Sequence, residues 1–174
     1  MKRLYRYYWA YGSNLSVQGM LYRCPTAKKV GPLYVNDGLL VFRGVADVVI
    51  SKGNKVAGGL WKVTQEDEDS LDAYEGVSSG LYKKCTFTIT ARGKVRNVLY
   101  YRMCVPGIMP PSERYLSMIA EGYRDFGLDL SFLDAAVKHS WREKKVTSRL
   151  WVRHERKGAP RWARPSDPSY LQAV

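Results

Sequence analysis

The stretch from Thr64 to Gly76 constrains this chain most, because both ends of a helix are written into it and strand-like segments lie on either side. Thr64 and Asp67 have the spacing of a capping box, with Asp where Glu or Gln is usual. Glu66 to Asp69 put negative charge at the positive end of the helix dipole, and Gly76 is the residue that ends the helix. Leu71 and Tyr74 form its apolar face. Upstream, residues 38–43, 46–50 and 56–63 read as strands, with Ser51-Lys52-Gly53-Asn54 as a hairpin-like turn before the third. Downstream, 82–91 alternates and 95–103 pairs with it across Gly93. Strands outnumber helices and the order is mixed, which predicts an α+β domain on a largely antiparallel sheet or barrel.

The remaining elements follow the same logic. Residues 4–11 are aromatic-rich and read as a strand that Gly12-Ser13-Asn14 breaks. Val17, Met20, Leu21 and Cys24 then keep helical spacing, with Asn14 or Ser16 as N-cap and Pro25 as stop. Gly31-Pro32 opens a turn. Ser112, after Pro110-Pro111, caps a helix whose stripe is Tyr115, Met118, Ile119, Tyr123 and Phe126, closed by Gly127. Ser131 with Asp134 starts a short helix through Val137.

At 174 residues the chain is expected to form one domain with a core large enough to need no disulfides or metal. No apolar run approaches the roughly 18 residues that span a bilayer, and the basic N-terminus has no apolar stretch that would make a signal peptide. Cys24, Cys85 and Cys104 are odd in number and lack C-x-x-C spacing, which fits a reducing cytoplasm. Cys24 closes an apolar helical face and reads as buried filler. The two histidines, His139 and His154, have no ligand cluster around them, so no metal site is expected.

Two segments carry chemistry. Tyr11-Gly12-Ser13-Asn14-Leu15 is a strand running into a glycine turn and a helix, which collects backbone N–H donors able to hold an anion or the oxyanion of a tetrahedral intermediate. Ser13 lacks the G-x-S-x-G pattern of a nucleophile elbow. Glu75 precedes the terminating Gly76, where the negative helix end and any burial raise a carboxylate pKa toward the range of a useful proton carrier.

Together these segments resemble a known family. Tyr8-Trp9-Ala10-Tyr11-Gly12-Ser13-Asn14-Leu15 is similar to the opening signature of the γ-glutamyl cyclotransferases. The run from Leu71-Asp72-Ala73-Tyr74-Glu75-Gly76-Val77 to Ser78-Ser79-Gly80-Leu81-Tyr82 resembles their catalytic-glutamate segment, and Pro110-Pro111-Ser112 with Tyr115 their late helix. The resemblance implies a compact mixed β-barrel flanked by helices. It also implies a cofactor-free conversion of a small γ-glutamyl amino acid or amine to 5-oxoproline and the free amine. Glu75 would be general base and then general acid. The amides of Gly12, Ser13, Asn14 and Leu15 would cradle the γ-glutamyl group, Tyr11 would shape the floor, and Tyr82 and Tyr115 would give phenolic hydrogen bonds.

The charge is uneven. Of a net +12, residues 138–164 carry ten Lys or Arg against Glu143 and Glu155, interleaved with Trp141, Trp151 and Trp162. Residues 1–137 are therefore read as the cyclotransferase-like domain, and 138–174 as a basic extension packed on it. The preferred reading of the extension is docked tryptophans with a solvated basic rim. The alternative is a catalytically altered relative that binds nucleic acid through 138–164, since Lys, Arg and indole together suit phosphate contact and base stacking.

Overall fold

The computed structural model describes residues 4–143. In chain order these form β1 (Arg6–Ala10), α1 (Val17–Arg23), β2 (Lys28–Phe42), β3 (Ala46–Val63), α2 (Gln65–Tyr74), β4 (Tyr82–Ala91), β5 (Lys94–Met103), α3 (Glu113–Phe126) and α4 (Leu130–Arg142). A single 3₁₀ turn, Ser13–Leu15, links β1 to α1. None of the described helices is long and apolar enough to cross a membrane.

One mixed sheet has the order β2-β3-β1-β5-β4. Its middle strand is β1, antiparallel to β3 (Tyr8 opposite Trp61) and parallel to β5 (Tyr8 opposite Leu99). Tyr8, Trp9 and Ala10 are all buried, the mark of a strand covered on both faces. The fold is α+β as expected, but the sheet does not close into a barrel: β2 and β4 are its edges, and no described ladder joins them. Beyond the end of β1, side chains join β3 to β5. Asp47 Oδ1 accepts the Met103 N–H at 2.9 Å, and Arg102 Nε donates to Val48 O at 3.0 Å. The rings of Trp9, Phe87 and Tyr100 pack edge to face beside them, with centroids 5.6–6.2 Å apart.

The β2–β3 hairpin differs from the sequence reading in two places. It turns at Arg43-Gly44-Val45, where Arg43 N–H donates to Val45 O. Ser51-Lys52-Gly53-Asn54 is not the hairpin turn but a wide bulge in an uninterrupted β3, lying between the pairs Gly38–Ile50 and Asn36–Lys55. Asp37 meets it from β2, its Oδ1 accepting the Gly53 N–H at 2.8 Å. Gly31-Pro32, read as a turn, lies within β2 beside a second irregularity.

The helices keep their expected ends more closely. Thr64 Oγ1 accepts the Asp67 N–H, and the Asp67 carboxylate accepts the Thr64 N–H, so Asp serves the capping box in full. Ser112 caps α3, Gly127 ends it, and Ser16 caps α1. The exception is α4, capped by Asp129 through Ser131 N–H at 2.8 Å and running on to Arg142. A division of the chain after residue 137 would therefore fall inside α4. Trp141 packs against the core. Residues 144–174, with Trp151, Trp162 and most of the basic extension, lie outside the described residues.

Contacts on two sides place α2 along β1 and α3 against the turn that follows it. The Glu68 carboxylate, almost fully buried, takes Arg6 at 2.8 Å and Lys84 at 2.7 Å, while Lys84 also meets Asp72 at 2.7 Å. This ties α2 to β1 and β4. On the other side α3 rides against the 3₁₀ turn: a Cβ on Gly122 would lie 2.3 Å from Leu15 Cβ and 2.6 Å from Ser16 N, so only glycine permits the approach.

Candidate active site

Because the capping box starts α2 at Gln65, ten helical residues bring its end to Glu75, whose backbone is still helical and whose N–H donates to Leu71 O at 2.8 Å. Gly76 then adopts the left-handed conformation (φ 63°), which turns the chain toward β4. The Glu75 side chain points into a pocket of about 300 Å³, including its open mouth, at the end of β1. The opposite wall is the turn Gly12-Ser13-Asn14. Tyr11, Tyr82 and Tyr115, expected from the sequence, line it as well.

Glu75 is held by Asn14, whose Nδ2 donates to Oε1 at 2.9 Å and also to Tyr8 Oη at 2.9 Å. Burial pushes the Glu75 carboxyl up to about 7, against the pull of the Arg23 guanidinium and the Asn14 hydrogen bond. Burial is the main cause, so the helix end that drew attention to this residue is not what makes it basic. The phenols around it are raised further by burial and stay neutral.

The tyrosines are fixed in turn. Tyr82 Oη donates to Ala46 O at 2.8 Å, and Ala46 N–H donates to Tyr115 Oη at 3.1 Å, so the two phenols hold the backbone of one residue from both sides beside the hairpin tip. Tyr11 Oη donates to Tyr101 O at 2.5 Å, and Tyr101 Oη to Asp72 Oδ1 at 2.7 Å. Gly12 leaves the pocket open: a Cβ there would sit 3.1 Å from both Tyr115 Oη and Ala46 Cβ.

Leu15 alone of the expected residues is off the pocket. Its side chain is fully buried and its N–H donates to Gly12 O at 3.0 Å, while Ser16 N–H donates to Ser13 O at 3.2 Å. The Leu15 N–H is thereby engaged within the turn itself. Four residues not singled out from the sequence belong here: Tyr8, Tyr101 and Ala46 in the wall, and Arg23 behind Asn14. Tyr8 lies on β1, whose burial on both faces hides which side chains meet the pocket, and Ala46 acts through its backbone and carries no sequence signal. Among the described residues no group of three or more His, Cys, Asp or Glu is placed to hold a metal ion.

Sheet and site together define a small α+β protein with one near-neutral carboxylate facing a glycine turn. Residues 55–136 match the AIG2-like family. The chain is 33% identical to bovine γ-glutamylcyclotransferase over 138 residues, covering 72% of this chain and 73% of that one, and 32% identical to the human protein with the same coverage. A solved structure titled γ-glutamyl cyclotransferase superposes with a TM-score of 0.68 at 25% identity, over 89% of this chain and all of that one. The chain belongs to the γ-glutamylcyclotransferase family.

Proposed function

We propose that this protein is a γ-glutamyl cyclotransferase that converts a small γ-glutamyl amino acid or amine to 5-oxoproline and the free amine. The nucleophile and the acyl group are parts of one molecule, so the pocket's first task is to fold the substrate until its α-nitrogen meets its own γ-carbonyl carbon. Glu75 as carboxylate takes a proton from the α-ammonium. The freed nitrogen attacks, a C–N bond closes the five-membered ring, and the carbonyl oxygen becomes an oxyanion. The amides of Gly12, Ser13 and Asn14 are the donors for the γ-glutamyl group and that oxyanion. Protonated Glu75 then gives its proton to the leaving nitrogen as the old C–N bond breaks. In all, the α-ammonium loses two protons and the leaving amine gains two, so one carboxylate carrying them in turn closes the balance. Tyr82 and Tyr115 hold the wall against which the substrate folds.

The observation that carries this reading is Glu75, with a pKa of about 7, hydrogen-bonded by the asparagine of the turn that faces it. The pocket's chemistry asks for no cofactor. A cytoplasmic setting fits the free thiols of Cys24, Cys85 and Cys104. The experiment is mass-spectrometric detection of 5-oxoproline from a panel of γ-glutamyl amino acids and amines. Release from at least one is expected; none from any would remove the reading.

A further inference from the structure

The side chain that holds Glu75 is itself held. Arg23, the last residue of α1, sends Nη1 to Asn14 Oδ1 at 2.9 Å and Nη2 to Tyr74 Oη at 3.1 Å. Its guanidinium lies 3.9 Å over the Tyr74 ring, and Tyr74 Oη is 3.2 Å from Ser13 Oγ. The two ends of an asparagine amide are alike in shape and opposite in polarity. Turned over, Asn14 would aim an oxygen at the Glu75 carboxylate and repel it. With Arg23 donating to Oδ1, the end that faces Glu75 and Tyr8 is Nδ2. The planar fork of arginine suits this task, because its parallel donors reach Asn14 and Tyr74 together where an ammonium would reach one.

We propose that Arg23 is a positioning residue, a latch on the exposed side of the pocket that sets the orientation of the Asn14 amide and through it the position of the Glu75 carboxylate. Its consequence for turnover rests on the proposed function; the latch itself is a property of the unliganded protein. Other groups facing Glu75 do not compete with it. They are Tyr8 from β1, Tyr11 beyond it, Tyr82 from β4, Tyr101 from β5 and Tyr115 from α3, phenols that burial keeps neutral, with Asp47 of β3 behind Tyr11 and Tyr82. Among the described residues, the cation acting on Glu75 is Arg23.

The test is a carboxyl-carbon NMR titration of Glu75, assigned with Glu75→Gln, together with steady-state rates for Arg23→Met, Arg23→Lys and Asn14→Ala. Arg23→Met should raise the Glu75 midpoint by about 0.5–1 pH unit and lower kcat about 10- to 100-fold, with KM within about twofold. Arg23→Lys should restore the midpoint, since the charge returns, but only part of kcat. In the Asn14→Ala background, Arg23→Met should cost less than about threefold in kcat, because the latch has nothing left to orient. A midpoint and kcat within about twofold of wild type in Arg23→Met, or effects that add fully to those of Asn14→Ala, would overturn the proposal. Should Arg23→Met not fold, Arg23→Gln, uncharged and too short to span both partners, is read by the same outcomes. The titration does not depend on turnover, so an inactive wild type would count against the proposed function, while the latch is still decided by whether the midpoint shift of Arg23→Met shrinks in the Asn14→Ala background.

Discussion

Asn14 and Glu75, 61 positions apart in sequence, meet at 2.9 Å, joining the strand-to-helix turn after β1 to the end of α2. Neither residue is unusual alone. Their meeting turns a helix-end carboxylate into a half-buried, oriented one, and the expected outcomes below follow from that pairing and from the packing that produces it.

The first concerns pH. With the Glu75 carboxyl raised to about 7, the carboxylate needed to accept the α-ammonium proton is lost as pH falls through 7. The acid limb of kcat/KM should fall about tenfold per pH unit below that point, and a pH–rate profile checks it. A limb near the ordinary glutamate value of about 4.3 would mean that Glu75 is solvated in the working enzyme.

The same shift has a stability consequence of opposite sense to the usual carboxylate. The folded state binds the Glu75 proton more tightly than the unfolded state, so folding is favoured most when the group is protonated in both. That advantage is lost as pH rises from about 4.5 through 7, leaving a buried charge that costs roughly 1–3 kcal/mol. Glu75→Gln should therefore raise the stability of the protein at pH 8 and change it little at pH 4.5. Urea unfolding at the two pH values measures this, and equal effects at both would contradict it.

Gly12→Ala tests the shape of the pocket. The added methyl would sit 3.1 Å from Tyr115 Oη and Ala46 Cβ, closing space that the γ-glutamyl group needs. The backbone at Gly12 (φ −117°) lies in a range open to other residues, so the fold should survive. The expectation is a rise in KM of about tenfold or more, roughly 1.4 kcal/mol of lost binding, with a thermal midpoint near that of wild type. An unchanged KM would place the substrate elsewhere.

Gly122→Ala tests the support behind the turn. Its Cβ would meet Leu15 and the Ser16 backbone at 2.3–2.6 Å, and backbone cannot step aside as a flexible side chain would. Moving α3 off the turn should cost about 1–3 kcal/mol and lower activity through the displaced Gly12-Ser13-Asn14 segment. Denaturant unfolding with parallel rates checks both effects.

What was legible in the sequence is what local chemistry decides. The Thr64–Asp67 box, the Ser112 and Gly127 ends of α3, and the β4–β5 hairpin around Gly93 each declare themselves within a few residues. Ser51-Lys52-Gly53-Asn54 reads as a turn because glycine and small polar residues favour one, and only pairing along β2 shows that the chain continues through it as a bulge. The start of α4 was placed late because Asp129, its cap, follows closely on the end of α3. In the site, the expected residues other than Leu15 stand together, while Tyr8 and Tyr101 went unnoticed. A strand buried on both faces, like β1, has no alternation to show which side chains face the pocket. Tyr101 enters by way of β5, which β1 pairs in parallel from far along the chain. Arg23 acts through the reach of a long side chain, and spacing does not encode where such a chain ends.

The most direct test of the account compares 5-oxoproline release by wild type and Glu75→Gln on the best γ-glutamyl substrate of the panel, with circular dichroism to show that both are folded. The amide keeps the size of the side chain but cannot carry a proton, so release should fall about 10²- to 10⁴-fold. A folded Glu75→Gln protein that turns over at near the wild-type rate would contradict the central claim.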